Sequence, residues 1–234
     1  MLQYLIKRIL MMILTLFLII TLTFFLMHAI PGGPFTSEKM LAPEIKAALN
    51  AKYGLDQPIW QQYLNYLKGI LTFDLGPSFK YPGVRVNDLI REGLPVTAQT
   101  GFLAMLCVVA LGIPLGIVAA LNQNKWQDTT IMAIATMGVA IPSYVLATIA
   151  LYLFALQWQL VPTFGLDSWQ GYILPVAALS GFWLSFIARL SRSSLLEVLG
   201  QDYMVTARAK GLHPQTILFK HGMRNALIPI VTEL

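Results

Sequence analysis

Four stretches of this chain carry no Asp, Glu, Lys or Arg: residues 9–30, 95–121, 129–166 and 168–188. A helix needs roughly 17–25 residues to cross a bilayer, and each stretch reaches that length. An ionised side chain in hydrocarbon is costly, so long charge-free runs are the mark of a chain whose solvent is lipid. Only 12% of the residues are charged, where a soluble domain of average composition has about a quarter. The expected architecture is therefore an all-α integral membrane protein, a polytopic bundle of helices. A fifth run begins near Asn225 ("NALIPIVTEL"). At 1.5 Å per residue it reaches only about half a bilayer, so the chain is expected to be a piece of a longer polypeptide, ending inside its fifth spanning helix.

The expected organisation is an N-terminal transmembrane helix over residues 1–30, an extracytoplasmic helical segment over 31–94, and a membrane core over 95–234. The first run is preceded by Lys7 and Arg8, as a secretory signal is. It is longer than the usual h-region, and "LMHAIPGG" is a poor small-x-small cleavage site, so a retained helix is expected.

Orientation follows from Lys and Arg in short loops, which favour the cytoplasm. Lys7 and Arg8 precede the first run, and Lys125 lies in "NQNKWQD" after the second. The loop after the third ("QWQLVPTFGLDSWQG") has neither residue type. The segment 189–224 carries Arg189, Arg192, Arg208, Lys210, Lys220 and Arg224. The alternation places the N-terminus and segment 189–224 in the cytoplasm and residues 31–93 outside. It also explains a net charge of +5 and a pI near 9.4 without invoking nucleic acid.

Two short amphipathic helices are expected outside. In "APEIKAALNAKYG", Pro43 stands near the start, Ile45, Ala48 and Leu49 share a face, and Gly54 is the stop. In "DQPIWQQYLNYLKG", Asp56 is the expected cap, Pro58 lies in the first turn, Ile59, Trp60, Tyr63, Leu64 and Leu67 form the stripe, and Gly69 ends it. They either dock a partner or pack on the membrane helices.

No G-x-x-x-x-G-K-[ST] loop occurs, nor any Gly-Lys pair, so the chain is not expected to bind ATP or act as an enzyme by itself. His28, His213 and His221 are scattered, without metal-ligand spacing, and Cys107 stands alone in an apolar run; no metal or cofactor is expected. The first four runs hold no buried ionisable group of the kind ion-coupled carriers use. Glu233 either lines a path or faces a neighbouring helix. Pro114, Pro142 and Pro175 are candidate helix bends near a translocation path, freeing carbonyls to face water or protein; the alternative is that membrane helices simply tolerate them. Gly112 and Gly116 are expected to form a close-packing face.

The polar segment "DYMVTARAKGLHPQTILFKHGMRNALIP" (202–229) stands apart. Asp202 is the expected N-cap of a helix of about nine residues, with Gly211 at C′ and Pro214 beyond. Tyr203 and Ala207 lie at i, i+4, and Ala207 and Ala209 are small enough for another surface to approach. The element is either a docking helix or a connecting loop whose basic residues meet lipid phosphates.

The run "TARAKGLHPQTILFKHGMRNALIP" resembles the cytoplasmic loop of ABC-importer permease subunits, known by an E-A-A…G pattern. Here the pattern falls on Val205, Thr206, Ala207 and Gly211, with Val205 in place of the acidic residue and Thr206 in place of the first Ala. The A-R-A-K-G form, the longer spacing to Ile228-Pro229 and "H-x-x-R-N-A" at 221–226 resemble the peptide-type branch. "KRILMMILTLFLIITLTFFLMHAIPGGPF", "YGLDQPIWQQYLNYLKGILTFDLGPSF" and "VAIPSYV" are similar to the B-type permease of dipeptide and oligopeptide importers, and the likeness covers essentially the whole chain. It implies about six spanning helices, about five of them here. It implies a bacterial cytoplasmic-membrane subunit that forms a path with a second homologous permease, receives peptide from an extracytoplasmic binding protein and is driven by two cytoplasmic ATPase subunits. By the motif, Ala207 and Gly211 carry over to ATPase coupling; Tyr203, Thr206, Arg208 and Lys210 join them by their place on or beside the same helix. Relatives of this type carry nickel chelates, glutathione or oligosaccharides, so those substrates stand as alternatives. An ATP-independent secondary carrier and a non-transport scaffold are the competing classes.

Overall fold

The computed structural model describes residues 1–30, 50–51, 53–81 and 83–233. These are helical almost throughout; among them the only extended pairing is an isolated bridge between Pro77 and Arg85. The expected helix start at Pro43, with Ile45, Ala48 and Leu49, lies outside the described residues. The chain divides into two compact units, Met1–Leu94 and Pro95–Leu234.

In the first unit, α1 (Leu2–Ala29) is apolar on all sides and buries only Phe24. A helix hydrophobic all round has no water-facing side and belongs in lipid. At 28 residues it is about 42 Å long, more than the ~30 Å hydrocarbon core. Helix α2 (Ile59–Leu71) starts after Pro58, which takes the cap position in place of Asp56, and it runs past Gly69. Gly69 serves contact instead: a Cβ there would lie 2.5 Å from the Asp74 carbonyl oxygen. The inner face of α2 is Gln62, Tyr63 and Tyr66. Phe24 stacks on Tyr66 at 5.6 Å between centroids, the Tyr63 hydroxyl meets Thr21 at 2.6 Å, and Gln62 Oε1 meets His28 Nε2 at 3.1 Å. Ile59, Trp60 and Leu64 of the expected stripe point outward, so the polar-aromatic edge, not the aliphatic one, holds α2.

Beyond α2, the Arg85 guanidinium donates to Asp74 Oδ1 and the Gly76 N–H donates to the same oxygen at 3.1 Å. The guanidinium, with help from that N–H, holds the Asp74 carboxyl below its usual range, and Asp74 in turn raises Arg85. A depressed carboxylate contributes stability above its unfolded pKa, and that contribution is lost as pH falls through the folded value. The 74–86 turn should therefore open below about pH 4, seen as faster amide exchange at Val86, whose N–H donates to the Gly76 carbonyl at 3.0 Å. Asp74→Asn should remove that pH step; an unchanged step in the variant would assign it elsewhere.

The second unit is organised around α6 (Ile173–Leu199), which a short 3-10 turn, Trp169–Tyr172, leads into. Against it pack the second half of α3, then α4, α5 and α8. Helix α3 spans Val86–Leu121 with a π-helical stretch at Val108–Gly112. Pro114 lies two residues past its end, and its ring would strike the carbonyl four residues back, that of Ala110, in a regular α-turn; the wider turn relieves that clash. Gly112 and Gly116 lie against α6. A Cβ on Gly112 would sit 3.2 Å from Ile187 Cγ2, and one on Gly116 would sit 2.5 Å from the Ala188 carbonyl and 3.0 Å from the Arg192 nitrogen. The pair is a close-packing face, as small residues at i, i+4 allow.

The third charge-free run does not make one straight span. Helix α4 (Trp126–Ala140) and α5 (Ser143–Gln157) meet at 101°. Ile141, which precedes a proline, is pushed to φ −91, ψ 124, and Pro142 follows at φ −56, ψ 137. Two successive extended residues break the helix rather than bend it. By length and composition the described residues hold three helices able to cross a membrane, or four if this bent pair counts as one. After α6 come α7 (Asp202–Ala209), a turn at Pro214–Thr216, a π-helical stretch at Ile217–Gly222, and α8 (Met223–Glu233). Buried Leu195, Ala120, Met223 and Ala226 form one core cluster; Val108, Ile187 and Ile230 form a second.

Candidate coupling site

Helix α7 begins one residue earlier than expected, with Gln201 rather than Asp202 at the cap position. Gln201 is extended at φ −75, ψ 149, and Asp202 is the first helical residue, where its charge still complements the helix N-terminus. At the other end Gly211 takes φ +70. Its N–H donates to the Arg208 carbonyl at 3.0 Å, and the Leu212 N–H donates to that of Ala207 at 3.4 Å. This is the Schellman arrangement, which a glycine adopts without Cβ strain.

The six coupling candidates do not share one face. Ala207 is buried, together with Met204 and Ile217, against Leu199. Met204 is fully enclosed: both its Cε (3.5 Å) and Leu195 Cδ1 (3.6 Å) approach the place a Cβ on Gly222 would take. The inward pair is therefore Met204 and Ala207 at i, i+3, not Tyr203 and Ala207 at i, i+4. Tyr203 and Arg208 stand on the flanks and bond back to their own chain. The Tyr203 hydroxyl accepts from Asn225 Nδ2 at 2.8 Å, and Arg208 Nη2 donates to the Leu199 carbonyl at 3.4 Å. Thr206, whose hydroxyl donates to the Asp202 carbonyl, faces out with Val205 and Ala209, and Lys210 is exposed at the end. The small outward face is bounded by two braced side chains.

Sequence reasoning passed over Met204, Ile217 and Asn225. The signal for Met204 was present: it is the long unbranched apolar residue in α7, and Ala207 lies one turn on. Asn225 carried no local signal, because its partner is 22 residues away.

The prolines fall in three different settings. Pro142 stands at the 101° break. Pro114 follows the π-helical stretch at the start of Ile113–Leu121. Pro175 lies in the first turn of α6, where a missing N–H breaks no helical bond. Glu233 borders an apolar cavity of about 370 Å³ lined by Met105, Val108, Trp183 and Ile187. Among the described residues no group of three or more His, Cys, Asp or Glu could hold a metal ion.

Several apolar helices around a central span, with a short polar helix packed on the end of that span, define a polytopic helical membrane protein. Residues 112–234 match the family described as binding-protein-dependent transport system inner membrane component, and residues 1–99 match the N-terminal region model of such components. The chain belongs to this family. It is 45% identical over 232 residues to the dipeptide transport system permease protein DppB of Bacillus subtilis, covering 99% of this chain and 75% of that protein. It is 44% identical over 239 residues to the oligopeptide transport system permease protein OppB of Salmonella typhimurium, covering 100% and 77%. A DppB from Lactococcus lactis is 38% identical over 232 residues, 99% and 76% of the two chains.

Proposed function

We propose that this chain is the membrane-spanning permease subunit of an ATP-driven importer for dipeptides or oligopeptides, a transport subunit rather than an enzyme. The observation that carries the reading is the near full-length likeness to dipeptide and oligopeptide permeases in both halves of the chain. The buried seat of Met204 and Ala207 supports the mechanical part of it. In this reading a second permease completes the path, an extracytoplasmic binding protein delivers the peptide, and two cytoplasmic ATPase subunits close on ATP. The N-terminus and α7 lie in the cytoplasm, and lipid surrounds α1.

Coupling then divides among the residues. Val205, Thr206, Ala209 and Lys210 offer the outward surface to an ATPase groove. Met204 and Ala207 seat α7 on Leu199 and Ile217, so a push on the outward face is passed to α6. Tyr203, through Asn225, ties the same push to α8. Gly211 stops the helix and sets the exit angle. Pro114 and Pro142 put irregular backbone beside the path; Pro175, in a first turn, only starts a helix. The full-length protein, reconstituted with its cognate permease, ATPases and binding protein, should take up labelled dipeptide only with hydrolysable ATP. Uptake by the chain without the ATPases would support a secondary carrier and overturn the proposal. Preferential uptake of nickel chelate, glutathione or oligosaccharide would move the substrate class and leave the rest.

A further inference from the structure

Asp128 is the buried carboxylate among the described residues, 3% exposed in the first turn of α4. It accepts three hydrogen bonds. Arg192 Nε donates to Oδ1 at 2.6 Å and Arg192 Nη2 to Oδ2 at 2.7 Å, while the Asn124 N–H donates to Oδ2 at 2.9 Å. Asn124 reaches that position at φ +62, a left-handed conformation asparagine tolerates. Two parallel bonds from one guanidinium fix the angle between α4 and α6 as well as their separation.

Arg192 occupies a crowded stretch of α6. Its backbone nitrogen lies against Gly116 of α3. One turn on, Leu195 borders Gly222 beside Met204, and a further turn on, Leu199 packs on the Met204, Ala207 and Ile217 cluster that seats α7. So a single length of α6 carries both the seat of α7 and, by the ion pair, the start of α4. Helix α4 leads to the 101° break before α5. Apolar contacts resist separation but slide; a bidentate ion pair to a buried carboxylate resists both.

We propose that Asp128 and Arg192 are positioning residues for transport: their ion pair is the joint that carries displacement of α7, through α6, into the broken α4–α5 segment. The proposal rests on the functional reading above, in which α7 is what the ATPases move. Arg192→Lys keeps the charge and removes the fork. Asp128→Leu with Arg192→Met removes both charges and keeps apolar volume, a replacement that buried pairs often tolerate without loss of stability.

In the reconstituted importer, both variants should assemble and hydrolyse ATP near the wild-type rate, with uptake per ATP about tenfold lower. A purely structural pair would lower assembly, hydrolysis and uptake together in Arg192→Lys, and would give the apolar double variant a wild-type ratio. Wild-type uptake per ATP in either variant overturns the proposal. A second readout does not need transport. Nitroxides at exposed Trp126 on α4 and Val205 on α7, in the full-length protein in lipid nanodiscs, should give a narrow distance distribution that broadens in Arg192→Lys. An unchanged distribution overturns the joint, whatever the importer does. A wild-type complex that hydrolyses ATP and imports no peptide would sink the functional reading alone, and the distance distribution would still decide the joint.

Discussion

Ala207→Asp is expected to abolish ATP-driven uptake, by unseating α7 from within. Ala207 is 6% exposed and shares its cluster with Met204, Ile217 and Leu199, none of which can pair a carboxylate. An uncompensated buried charge costs about 3–5 kcal/mol, more than an eight-residue helix gains from its own backbone. Helix α7 should detach while the spanning helices, whose apolar runs the substitution leaves unchanged, insert normally. Val205→Asp is the control on the outward face. Val205 is 55% exposed, so the new charge stays hydrated and α7 stays seated; any loss of uptake there comes from the docking contact. Limited proteolysis separates the two, with cleavage within 202–212 accelerated in Ala207→Asp and unchanged in Val205→Asp. Wild-type uptake with Ala207→Asp would reduce α7 to a plain connector.

Gly116→Leu should have an equally large effect by a different route. The added side chain would meet the Ala188 carbonyl and the Arg192 nitrogen of α6. Both are backbone, and neither can swing aside as a side-chain tip would. Overpacking a well-filled contact costs about 1–3 kcal/mol, and Gly116→Ala should fall in that range. For Leu the helices must separate, and Arg192, whose nitrogen the new side chain meets, is then drawn away from Asp128. Insertion should be unaffected, because Leu is favoured in the bilayer. The expected result is normal membrane yield with a large fall in the thermal midpoint in detergent; a wild-type midpoint would mean that α3 and α6 are not in contact there.

These two expectations draw on different kinds of legibility. Gly112 and Gly116 announced a close-packing face by their i, i+4 spacing in an apolar run, though not which helix they would meet. The end of α7 was legible at Gly211, because a left-handed C′ residue is a local steric requirement. Its inner face was not. The helix is nearly neutral in hydrophobic pattern, so Met204 and Ala207 face inward only because Leu199 and Ile217 are there to receive them. Pro142 told of an interruption; that two consecutive residues would become extended and turn the chain through 101° depended on α4 and α5 each finding a place against α6. Asp128 read as a loop residue and Arg192 as one more cytoplasmic charge, since partners 64 residues apart leave no local trace.

By itself, then, the sequence determined the solvent, the number and place of the apolar runs, and the caps and breaks written in Gly and Pro. Each rests on interactions within a turn or two of chain, or on the transfer of whole segments from water to lipid. Only the tertiary structure decided which face of α7 is buried, which helix the glycines meet, and that one arginine of α6 clasps the start of α4. Those depend on close packing and ion pairing between segments far apart in sequence, and such contacts exist only once the helices have been brought together.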